Sequence, residues 1–119
     1  MSDLLERYKD FTEETAIYPG PNDMKLYTRV RALLYPALGL SAEAGEFLNK
    51  FKKVIRDDEG RITSARNLQL VEELGDVLWY FMRCCDALDV DPEDVIRINM
   101  RKLSDRDERE VLGGEGDRR

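Results

Sequence analysis

The 119-residue sequence predicts an all-α protein, a bundle of four helices. Three observations support this. Strand signals are nearly absent. Apolar residues recur three and four apart along four segments, the spacing that puts them on one helical face. Between the segments stand turn clusters and capping residues.

The first segment runs from about Asp3 to Ala16, with Leu4, Leu5, Tyr8, Phe11 and Thr12 on one face, and stops at YPGPND. The second starts near Asp23 and continues toward Arg56. Pro36 is expected to kink or break it, because proline lacks a backbone donor and clashes with the preceding turn. DDEG ends it, with Gly60 as the stop. The third begins at Ser64, as a cap, and reaches about Leu88. The fourth opens at Asp91-Pro92-Glu93, a cap followed by proline in the first turn, and runs to about Arg109. The helical domain is read as residues 1–112, followed by a glycine-rich tail, 113–119.

Composition narrows the function. Apolar residues make up 42% and charged residues 37%, with a net charge of −6. A chain this acidic is unsuited to non-specific nucleic-acid binding, which depends on a basic surface. No run approaches the roughly 20 apolar residues of a membrane span. Histidine is absent, which removes the commonest general base and transition-metal ligand. It also excludes a di-iron bundle site, which needs Glu-x-x-His on two helices. Cys84 and Cys85 are adjacent in a helical pattern, about 100° apart, and do not suit a mutual disulfide. Free thiols, and no apolar leader in MSDLLERYKD, point to a cytoplasmic protein. DDEGRI is not a calcium loop: with Gly60 at its sixth position, Arg66 falls where glutamate is required.

Two stretches repeat one pattern. AEAGEFL places Gly45 between Glu43 and Glu46, and ELGDVL places Gly75 between Glu73 and Asp76. Residues three apart on a helix are neighbours, so each pair projects together. Leu40, Ala44, Phe47, Leu48, Phe51, Val54 and Ile55 form the apolar face of the second helix. Leu70, Leu74, Val77, Leu78, Phe81, Cys85 and Leu88 form that of the third. Each acid pair lies at nearly the same offset from its face, the first acid at the edge and the second further out. Packing these faces together is expected to gather four carboxylates along one edge. Glycine beside the acids permits close approach of a backbone or ligand. An all-oxygen donor set suits Mg²⁺, or Mn²⁺. One Glu-x-x-Glu alone reads as a solvated flank; two copies with the same glycine and phase call for a shared reason.

The combined pattern resembles the MazG-like, all-α nucleoside triphosphate pyrophosphohydrolases. YPALGLSAEAGEFLNKFKK is similar to that family's second helix, VEELGDVLWY to its third, and Asn99-x-x-Lys102-Leu103-x-x-Arg106 to its last. The resemblance covers about residues 10–119. It implies a four-helix MazG-like fold completed by oligomerisation, as a homodimer or homotetramer with sites built between subunits. It implies cleavage of a (d)NTP between the α- and β-phosphates, giving a (d)NMP and pyrophosphate. By position, Glu43, Glu46, Glu73 and Asp76 would bind Mg²⁺, Lys102 and Arg106 would hold the triphosphate, and Asn99 would lie near the sugar or base. Attack on phosphorus also needs an activated water, and of the four acids Glu46 is assigned to orient or deprotonate it. Lys50, one turn beyond Glu46, is a second-tier phosphate contact or a salt-bridge partner of Glu46. Trp79 points away from the apolar face, toward the first helix or a second subunit. Tyr80 shares the acids' edge, within reach of a base. The tail arginines Arg118 and Arg119 can close over phosphates. The alternative is a non-catalytic helical oligomer that binds nucleotides or a partner protein.

Overall fold

The computed structural model describes residues 2–18 and 26–108, with side chains from residue 30 onward in the second stretch. The predicted start of the second helix near Asp23 and the glycine-rich tail with Arg118 and Arg119 lie outside these residues. Four helices follow in order: α1 (Asp3–Thr15), α2 (Leu26–Asp57), α3 (Ser64–Ala87) and α4 (Pro92–Glu108). No strand is present among the described residues, and none of their helices is long and apolar enough to cross a membrane.

Local chemistry explains the helix ends. Ser2 caps α1, its hydroxyl accepting from the Leu5 N–H at 3.3 Å. Thr63, one residue before the expected cap, accepts from the Arg66 N–H at 3.2 Å and starts α3. The Asp91 carboxylate accepts from the Glu93 N–H at 2.8 Å ahead of Pro92 in the first turn of α4. After α2 the chain turns through Glu59 and Gly60, both at positive φ, and the Gly60 N–H donates back to the Val54 carbonyl at 3.0 Å. A left-handed residue of this kind terminates a helix by meeting its orphan carbonyls. Arg66 secures the turn by donating to Asp58 at 2.6 Å.

Pro36 does not break α2, which runs through it as a 32-residue helix. The ring is fully buried, and that burial offsets the backbone bond it cannot make.

The main packing is between α2 and α3, an antiparallel helical hairpin, with α1 set against α3. Among the described residues the buried apolar set is small: Tyr18, Ala32, Val54, Leu70, Met82 and Cys85. The apolar arc of each long helix is wider than its partner covers. Leu40, Phe47 and Val54 turn toward the hairpin interface, whereas Leu48, Phe51 and Ile55 of α2 and Leu74, Leu78 and Leu88 of α3 are exposed. The predicted faces are therefore split between an interface inside the chain and an open surface.

Candidate metal centre and the pocket beside it

The hairpin register sets Glu43 of α2 against Glu73 and Asp76 of α3. One carboxylate oxygen from each lies within 4.8 Å of the others. Glu43 and Glu73 are half-buried and Asp76 is exposed. Burial raises the Glu43 carboxyl above its ordinary value, and the charges of Asp76, Glu73 and Glu46, with a hydrogen bond to Glu73, raise it further. Three acids this close favour either a shared proton or a bound cation. With only oxygen donors, the group suits a hard divalent ion.

Glu46 is one turn beyond Glu43, exposed, near enough to act on the Glu43 carboxyl but outside the three-oxygen group. The expected gathering of four carboxylates is thus three together and one beside them. Glu46 and Asp76 are both exposed, but the register of the hairpin brings only Asp76 to Glu43 and Glu73. Lys50 is half-buried one further turn along α2, and no salt bridge joins it to Glu46 among the described residues.

An open cavity of about 320 Å³ lies against the acids, lined by Glu43, Asp76, Trp79 and Tyr80. Asn99, Lys102 and Arg106 are not among its lining residues. Asn99 and Lys102 are exposed on α4, while Arg106 is 4% exposed.

Gly45 and Gly75 have no atom within 4 Å of where a Cβ would stand, apart from their own helices. No side chain occupies the space beside either, although the Gly75 carbonyl accepts from the Tyr8 hydroxyl at 3.4 Å. The glycine whose missing side chain makes room for a neighbour is Gly39, where a Cβ would collide with the Tyr80 ring. Gly39 lies one turn before Glu43 and Tyr80 one turn after Asp76, so the glycine notch and the acids belong to one register. The sequence signal for Gly39 was present, a glycine inside a helix at i−4 from an acid, but it lay outside the repeated motif.

Arg83 is a second residue that sequence reasoning missed. It is 1% exposed. Its guanidinium donates to the Tyr18 hydroxyl at 3.1 Å, the Thr12 hydroxyl at 3.3 Å and the Asp86 carboxylate at 3.0 Å. This fastens α1 and the chain after it to α3. Trp79 packs against the same end of α1, as its phase predicts, donating its indole N–H to the Thr15 hydroxyl at 2.9 Å. Both cysteines are free thiols, and burial pushes Cys85 up to about 11.

The family model for the MazG nucleotide pyrophosphohydrolase domain matches residues 35–111. That match spans more than half of the chain and includes both acid pairs and the α4 basic residues. The chain belongs to the MazG family. This protein is also 42% identical over 115 residues to the Gene 37 protein of Mycobacterium phage L5, covering 97% of this chain and 98% of that one. No solved structure matches it. A MazG domain is an all-α nucleotide pyrophosphohydrolase module, and the four described helices have that character.

Proposed function

We propose that this MazG protein is a Mg²⁺-dependent nucleoside triphosphate pyrophosphohydrolase, with Mn²⁺ as a substitute ion, which cleaves (d)NTPs between the α- and β-phosphates. The observation that supports it is the convergence of Glu43, Glu73 and Asp76 within 4.8 Å in a chain of this family. The residues fit a hard cation: every donor is a carboxylate oxygen, and the chain has no histidine to favour a softer metal. Glu43, Glu73 and Asp76 hold the ion, with Glu46 contributing from the same edge. When bound, the ion neutralises phosphate charge and orders the oxygens for attack.

The chain's own residues supply the rest. Glu46, exposed and outside the three-acid group, orients the attacking water and takes its proton. The bond formed is from water oxygen to phosphorus, and the bond broken is the α–β bridging P–O bond, with the electron pair leaving on pyrophosphate. Lys102 and Arg106, an i, i+4 pair, hold phosphate oxygens, Asn99 contacts the sugar or base, and Lys50 adds a further charge. Asn99 and Lys102 lie away from the acid pocket of their own chain. The site is therefore completed in a homodimer or homotetramer, in which the exposed leucines of α2 and α3 are covered.

The test is to incubate the protein with each common dNTP and NTP plus Mg²⁺ and separate the products by ion exchange. Monophosphate and pyrophosphate are expected, abolished by EDTA and by Glu46→Gln. Diphosphate with orthophosphate would place the cut at the wrong bond. No turnover in a folded, metal-binding protein would favour a nucleotide-binding oligomer.

A further inference from the structure

Helix α1 is tied to α3 by side-chain hydrogen bonds at several points. The Trp79 indole donates to the Thr15 hydroxyl at 2.9 Å, and Arg83 donates to the Thr12 hydroxyl at 3.3 Å. Another such bond falls on the turn that carries the acids. The Tyr8 hydroxyl donates to the Gly75 carbonyl at 3.4 Å. Gly75 stands between Glu73 and Asp76, so α1 reaches the backbone that presents two of the three converging carboxylates. Tyr8 is half-buried, and its ring stacks with Phe11 at 6.2 Å, the planes 24° apart. Burial raises the Tyr8 hydroxyl above its ordinary value, and the charge of Asp76 raises it further. The hydroxyl therefore keeps its proton and remains a donor.

Of the three acids, Asp76 is the exposed one. Glu43 and Glu73 repel its charge, and water solvates it better further out. An exposed carboxylate joins such a group only if the backbone beneath it is held. The Gly75 peptide is that backbone, because it fixes the direction in which Asp76 leaves the helix. A carbonyl oxygen has two lone pairs, so the bond from Tyr8 adds a constraint without displacing one of the helix's own. At 3.4 Å the bond is long and contributes little to stability. What it supplies is direction. Outer partners of this kind orient ligating side chains and tune the affinity for the ion.

We propose that Tyr8 is a positioning residue for the metal centre: its hydroxyl, carried on α1, holds the Gly75 peptide and with it keeps the Asp76 carboxylate beside Glu43 and Glu73. The proposal rests on the metal reading of those acids. The role belongs to the hydroxyl and not to the ring, which packs on α1 itself against Phe11. It makes α1 a support for the site as well as a cover for α3.

The experiment titrates Mn²⁺ alone, without nucleotide, into the full chain and follows the free-ion signal by electron paramagnetic resonance. The readout needs no turnover, so it stands whether or not nucleotides are cleaved. It compares the native protein with Tyr8→Phe, which removes only the hydroxyl, and Thr15→Val, which removes a different α1–α3 hydrogen bond. Phenylalanine keeps the ring against Phe11, and valine keeps the shape of threonine at an exposed position, so both variants are expected to fold. The expected result is a Mn²⁺ affinity about tenfold weaker in Tyr8→Phe, with a urea midpoint close to native, and a native affinity in Thr15→Val. In turnover, the Mg²⁺ concentration for half-maximal rate should rise about tenfold in Tyr8→Phe, and saturating Mg²⁺ should restore the native kcat. Native affinity in Tyr8→Phe would overturn the positioning role and leave the metal centre standing. An equal loss in Thr15→Val would also overturn it, by tracing the effect to the docking of α1 as a whole. No Mn²⁺ binding by the native protein would overturn the metal centre and the role of Tyr8 with it.

Discussion

Glu43 sits where burial and three neighbouring acids all act against its charge. A carboxyl whose value is raised on folding binds its proton more tightly folded than unfolded. It therefore stabilises the metal-free protein below its ordinary value of 4.5, and that contribution is lost as pH rises through the raised value. Denaturant titrations in EDTA, from about pH 4 to about pH 7, should show this decline, and Glu43→Gln should flatten it. Stabilisation by Mg²⁺ should grow over the same window, because the ion competes with the proton. Arg83 makes a different residue-scale prediction. Arg83→Met leaves the Tyr18 and Thr12 hydroxyls without their donor and should cost about 2–3 kcal/mol in urea unfolding. The acids were legible as residues because a repeated motif at one helical phase is visible in a string. Arg83 was not, because an arginine on a helix usually reads as a solvated charge, and nothing local reveals that Tyr18 and Thr12 will surround it.

At the scale of elements, the four helices were legible to within a few residues wherever the described stretch includes their ends. Capping groups and breakers act over one turn, so a short stretch of sequence contains the relevant chemistry. At Pro36, where a kink or a break is expected, α2 is not broken and runs through with the ring buried. Thr63 offers a clean test of the local rule. Thr63→Ala removes the acceptor for the Arg66 N–H and should destabilise the fold by about 1 kcal/mol in urea. Mg²⁺ affinity should stay within about twofold, since Thr63 lies ten residues before Glu73, about 15 Å along the helix.

The whole chain is more extended than a closed domain of its length. Its radius of gyration is 17.3 Å, against about 13–14 Å for a compact domain of this size. Leu48, at 64% exposure, and Leu78, at 44%, belong to the apolar surface left open by the hairpin. If a second copy covers them, each leucine contributes roughly 1.5–3 kcal/mol to association. The double variant Leu48→Glu, Leu78→Glu should then reduce the mass in light scattering from a multiple of 13.8 kDa to one copy. Hydrolysis should fall with it, because Lys102 on α4 is not at the acid pocket of its own chain. A native protein already monomeric in solution would contradict this completion of the site.

By itself the sequence determined the helical class, the helix ends and the phase that turns Glu43 and Glu73 inward with Glu46 and Asp76 outward, because periodicity and capping are local. The tertiary structure decided how much of each apolar face the hairpin uses, that three of the four acids converge, and that Gly39 rather than Gly45 or Gly75 has a side chain packed where its Cβ would stand. It also decided that an arginine, Arg83, is buried among Tyr18, Thr12 and Asp86. Those outcomes depend on the register between α2 and α3 and on where α1 docks, and a register is set by the fit of two surfaces together, which no single helix encodes.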